Sequence, residues 1–164
     1  MYIIGAMNIL RKICIILGIV LVFTATFYAG AQKAQYAARI IELKGKAEIK
    51  GPAAKKFSPA KAGMQLREGD LLFTNKDSMA VVSIKERNTA AKITLYENTQ
   101  LRMVELSIDK KTGIQKTLLD LGIGKVDIKT SRPRAKKSVF QVKTPTSVLD
   151  ITEAQLTIEV EARP

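Results

Sequence analysis

The sequence predicts an all-β fold of short antiparallel strands, and three observations carry that expectation. From Arg39 onward the apolar residues recur with a period of two, not 3.6. Clusters of Gly, Pro, Asn and Asp separate these runs at the short spacing typical of all-β domains. Beyond the first 31 residues no segment carries a long amphipathic helical pattern; AQKAQYAAR (31–39) offers at most a short helix in a linker over 32–38.

The alternating runs are KAEIK (46–50), AVVSI (80–84), KITLY (92–96), QLRMVELSI (100–108), KVDIK (125–129), VFQV (139–142) and QLTIEV (155–160). Between them stand Gly51-Pro52, Glu68-Gly69-Asp70, Asn75-Lys76-Asp77-Ser78, Thr112-Gly113, Gly122-Ile123-Gly124 and Arg132-Pro133, all turn-forming. The clearest hairpin is 105–121, where Asp109 to Gly113 supplies a polar turn with glycine near its end. Gly122-Ile123-Gly124 reads as a tight connection between strands, since it lacks a third glycine and opens no helix. In SVFQVKTPTSVL (138–149) the alternation of Phe140 and Val142 is stopped by Thr144-Pro145. Proline removes a backbone donor and fixes φ, so this dipeptide ends the ladder at an edge or bend. Phe73 and Phe140 lie in alternating runs and are expected in the core.

Residues 1–31 stand apart. Arg11 and Lys12 precede an apolar run from Ile13 to Phe23, and the small-x-small pattern Ala29-Gly30-Ala31 follows. This is the layout of a secretory signal peptide; the weaker apolar stretch 13–29 is also compatible with a retained membrane anchor. In both cases the remainder is exported, to the periplasm or cell envelope. The lone cysteine, Cys14, lies inside this segment, so a processed chain of 133 residues has neither thiol nor histidine and must rest on one hydrophobic core, a single domain over 39–164.

The mature part carries 25 basic residues against 15 acidic ones. Such an excess favours polyanions, which outside the cytoplasm means envelope polymers or lipid headgroups. Cations concentrate in 125–143, and the polar loop holding Arg132, Arg134, Lys136 and Lys137 is the candidate site for an anion or a protein partner. The stretch from Val148 onward is acidic by contrast, with Asp150, Glu153, Glu159 and Glu161. Few aromatic platforms and no Trp argue against nucleic acid. Without His or Cys the mature chain lacks the usual general bases, thiol nucleophiles and transition-metal ligands, so no enzyme, metal or cofactor is expected. Its carboxylates stand at turns and strand ends with no paired motif, and NKDS (75–78) has too few acids for calcium.

Taken together, these runs resemble the FecR domain of exported bacterial proteins. The family's opening matches Pro59-Ala60 with Gly63, then Leu66 with Gly69-Asp70, then Thr74 with Ser78. Asn98-Thr99 falls at its next tight step, Gly122 in LLDLGIGKVDI (118–128) at its Leu-x-x-Gly-x-Val element, and Thr144-Pro145 at its Phe-x-Val-x-Thr-Pro element. The family's following Arg-Gly-Thr is replaced here by Thr152-Glu153-Ala154. The resemblance implies a twisted, solenoid-like β-roll or sandwich in which Gly69, Asp70, Thr74, Asn98, Thr99, Gly122, Thr144 and Pro145 are structural, with Thr144-Pro145 a corner where the chain passes from one sheet layer to the next. It also implies a binding or scaffold module at the envelope. The alternative it offers is a membrane-anchored component of a FecR-type signalling system for iron uptake, working through a separate partner.

If the leader is cleaved, the native protein will have an intact mass beginning at Gln32 and will fractionate as a soluble exported species. An unprocessed, membrane-retained chain would instead identify 13–29 as an anchor.

Overall fold

The computed structural model describes residues 33–35, 38–86, 89–130, 137–152 and 155–161, and the expected signal or anchor helix lies outside them. Strands account for every regular element there: β1 (Lys33–Gln35), β2 (Ala38–Lys44), β3 (Ala47–Lys50), β4 (Ser58–Pro59), β5 (Gln65–Leu66), β6 (Leu71–Thr74), β7 (Met79–Glu86), β8 (Thr89–Leu95), β9 (Gln100–Asp109), β10 (Gln115–Thr130), β11 (Val139–Lys143), β12 (Val148–Asp150) and β13 (Gln155–Val160). All pair in one curled sheet, antiparallel throughout except where β11 runs parallel to β10.

The sheet has two halves joined along a crease. One half runs β4-β3-β6-β9-β10-β11-β12, and the other β5-β2-β7-β8-β10-β13. The same stretches of chain serve both: β2 continues into β3, β6 into β7 and β8 into β9, while β10 passes from one half to the other without ending. Likewise 58–66 carries β4 at one end and β5 at the other; five intervening residues reach at most roughly 20 Å, which holds the two outer edges close together.

Alternation supplies the core. Leu72, Leu101, Met103, Leu119 and Leu121 from one half, and Ile40, Val82, Ile93, Leu95 and Ile128 from the other, are fully or almost fully buried in a single cluster. Each such side chain contributes about 2 kcal/mol by leaving water, and only a sheet folded toward itself puts both inner faces in contact.

Several expectations change on contact with this architecture. Gly122-Ile123-Gly124 is no connection: β10 runs for 16 residues through it, with a register shift between Leu121 and Ile123. A glycine pair inside an alternating pattern marks a bulge as readily as a turn, and pairing on both flanks decides for the bulge. The strands are consequently not all short. Thr144-Pro145 is the tip of a hairpin joining β11 to β12 within the same half, not a passage between layers. There the Thr144 amide donates to the Ser147 carbonyl at 2.8 Å, and the Ser147 amide donates to Thr144 Oγ1 at 3.2 Å, closing the turn locally. The change of halves comes after Ile151. In place of a short helix over 31–39, Lys33–Gln35 pairs with Ser107–Asp109 and Ala38 opens β2; the open edge of β9 outweighs a weak local helical preference. Phe140 packs against the core, but Phe73 does not, because Leu72 and Thr74 on either side of it point inward. The 105–121 hairpin stands as read: Asp109 Oδ1 accepts from the Lys111 and Thr112 amides, and Gly113 takes φ 70°.

Gly124 has φ +96°, and a Cβ there would lie 2.4 Å from Thr99 Oγ1 and 2.5 Å from Thr99 Cα. Gly124→Ala should therefore lower stability by about 3 kcal/mol in urea unfolding, from overpacking added to backbone strain. Gly63 has a similar φ of +89°, yet a Cβ added there would meet nothing within 4 Å, so Gly63→Ala should cost only about 1 kcal/mol.

Candidate functional site

Several of the residues on which the sequence resemblance rests, Gly69, Asp70, Thr74, Ser78, Asn98 and Thr99, lie along the crease, whereas Thr144-Pro145 sits in the β11–β12 hairpin. At the centre of the crease, the Thr74 hydroxyl donates to the Tyr96 carbonyl and accepts from the Thr99 amide at 3.1 Å, and the Thr74 amide donates to the Thr99 carbonyl at 2.9 Å. The Thr99 hydroxyl in turn accepts from the Lys125 amide at 3.0 Å and lies within hydrogen-bond reach of the Glu97 and Lys125 carbonyls. Both threonines are fully buried. Bending several strands along one line strips their backbones of regular ladder partners, and a buried unpaired amide is costly; the two hydroxyls supply the missing bonds.

The outer passes use the same device. Ser78 Oγ accepts from the Lys46 amide at 2.9 Å and donates to the Lys76 carbonyl at 3.0 Å. Asp77 and Asn98 take the left-handed values φ 55° and 50°, which these residue types tolerate. At Glu68-Gly69-Asp70 the Asp70 carboxylate accepts from the Arg67 amide at 2.7 Å, and the Gly69 amide, at φ +90°, donates to the Met103 carbonyl. Gly69, Asp70, Thr74, Asn98 and Thr99 are thus brought into one framework. Of the two glycines in Gly-Ile-Gly, sterics single out Gly124, whereas the motif match selects Gly122. Gly122 is exposed, and a Cβ there would meet only Gln100 at 3.7 Å.

Two open clefts flank the crease. The first, about 690 Å³, lies where Gly122 and Ile123 of β10 face the Thr144–Ser147 hairpin on one side and Ile158 and Val160 of β13 on the other. It arises because Lys143 pairs with Asp120 and Val160 with Gly124, leaving 121–123 with no strand on that side among the described residues. Ile123, Leu149, Ile158 and Val160 line it together with the hydroxyl residues of the hairpin and with Glu159 and Glu161. The second, about 630 Å³, is lined by Lys44, Asp77, Tyr96, Glu97, Lys125 and Glu159, among others. Beside it the Tyr96 hydroxyl donates to Asp127 Oδ2 at 2.7 Å, Thr157 donates to Asp127 Oδ1, and Lys125 Nζ stands 3.2 Å from Glu159. Thr157, and next Tyr96, hold the Asp127 carboxyl below its ordinary value, while the bond to Asp127 pushes the Tyr96 phenol up.

Of the basic candidates, Lys137 is exposed, whereas Arg132, Arg134 and Lys136 lie outside the described residues. The Tyr96–Asp127–Thr157 cluster is not legible in the sequence: its members sit 31 and 30 residues apart and meet only through cross-strand pairing. For the first cleft the interruption at Thr144-Pro145 is the one sequence signal. No protein-family model, curated protein or solved structure matches this chain.

The depressed Asp127 pKa sets a sign for pH dependence. Its stabilising contribution is present above the unfolded value near 3.8 and is lost as pH falls through the lower folded value. Asp127→Asn should accordingly destabilise by about 1 kcal/mol at pH 7, and the gap to the parent chain should narrow as pH falls below 3.8 in parallel thermal melts.

Proposed function

We propose that the chain is an exported, non-enzymatic binding or scaffold module of FecR-like type, acting at the cell envelope on a protein partner or an anionic envelope polymer. The observation that carries this reading is the parallel pairing of β11 with β10. β10 ends at Thr130 in one half of the sheet, and β11 begins at Val139 beside Lys116 in the other. Residues 131–138 join the two. That connection contains Arg132, Arg134, Lys136 and Lys137. Lys137 in it is exposed, and connections between strands ordinarily run over the surface, where cations remain available to a polyanion.

The threonine and glycine motifs support the same reading from the opposite direction. Thr74, Thr99 and Gly124 are engaged in holding the crease, which leaves the basic segment and the outer strands to make contacts. A chain carrying Arg134→Glu, Lys136→Glu and Lys137→Glu should melt at the parent temperature yet be lost from washed envelopes, and the parent's retention should weaken with added salt. Unchanged retention of the triple variant would overturn the assignment of this loop.

A further inference from the structure

We propose that the outer edge of β13, with the cleft beside it, receives an extended peptide segment in which apolar and cationic residues alternate. This deepens the reading as a binding module but uses a surface other than the basic crossover, so the two stand or fall separately.

The first support is how the sheet ends. An outer strand exposes a row of backbone donors and acceptors, and proteins ordinarily blunt it by shortness, Lys, Pro or a bulge. Here β4 and β5 have two residues each, β4 finishing in Pro59, and β12 has three. β13 has six, Gln155–Val160, with neither Lys nor Pro and an unbroken register against Gly124–Lys129. Among the described residues it pairs with β10 alone. A long, regular, undefended edge is the geometry that strand addition uses.

The faces of β13 specify what would be added. Leu156 and Val160 are half-buried against the core, and Ile158 is buried. A further strand that alternates would lay its own apolar residues over the two half-exposed ones and reach Ile123 and Leu149 in the cleft. On the opposite face Glu159 is exposed, with Lys125 Nζ 3.2 Å from it on the β10 side, and Glu161 follows among the residues that line the cleft. Cross-strand neighbours of opposite charge are favourable there, which selects Lys or Arg at the alternate positions. The rest of the molecule sharpens this choice. The chain carries +12 overall, so a cationic strand is repelled from most of its surface and attracted to this acidic edge. The same charge disfavours a second copy of the chain as occupant.

The test uses the full chain with a synthetic peptide of four Val-Lys repeats, compared with one of four Val-Ser repeats. Backbone amide exchange should slow at least about tenfold at alternate positions of 155–160 when the Val-Lys peptide is added, and the Val-Ser peptide should bind about tenfold more weakly. Glu159→Lys with Glu161→Lys should weaken capture about tenfold, with only the small fall in melting temperature that losing the exposed Lys125–Glu159 pair entails. Glu42→Lys with Glu48→Lys, the same charge change elsewhere, should weaken it less than about threefold. Equal affinity for both peptides, protection at other strands, or a concentration-dependent dimer that already protects β13 would each overturn the proposal. The Arg134, Lys136 and Lys137 reversals should leave peptide capture intact, which separates this surface from the envelope contact.

Discussion

Thr99 against a side-chain-free residue 124 is the contact on which the rest of the structure depends. The sheet turns back on itself across several adjacent passes of chain, and at each the backbone must leave the regular ladder at the same level. A hydroxyl that accepts from the Lys125 amide replaces the lost bond on one side, and the Thr74 hydroxyl does so on the other. The first requires a close approach that a Cβ at position 124 would block. Without this line of small residues and buried hydroxyls the two inner faces would not meet, and neither would share a core.

The crease also determines where surfaces become available. On one flank the outermost pass is a single stretch, 58–66, which closes the curl. On the other, the flanking strands come from separate pieces of chain, β11 and β13, so the line is interrupted between Lys143 and Val160. The cleft beside Ile123 and the open edge of β13 follow from that interruption.

Much of the strand content is directly readable. Alternation in 80–84, 92–96, 100–108, 139–142 and 155–160 reappears in β7, β8, β9, β11 and β13, since a half-buried strand must present one apolar face. β6 is harder, because Leu71-Leu72-Phe73 is a continuous apolar run whose facing is set by neighbours. The glycines of 122–124 and the proline at 145 are legible as interruptions, but their kind is not. Gly and Pro announce that the backbone departs from an ordinary strand; whether the departure is a bulge, a hairpin or a corner depends on what pairs on each side.

The sequence alone determined that the chain is β-structured, that its strands alternate in facing, and that a basic stretch precedes an acidic one; these are properties of neighbouring residues and need only a period and a composition. Tertiary structure decided that Thr74 and Thr99 meet across a fold line, that Tyr96, Asp127 and Thr157 share a cluster, and that β13 is left with an open edge. Those facts depend on register between strands far apart in the chain, and register is chosen by burying both halves of the sheet at once.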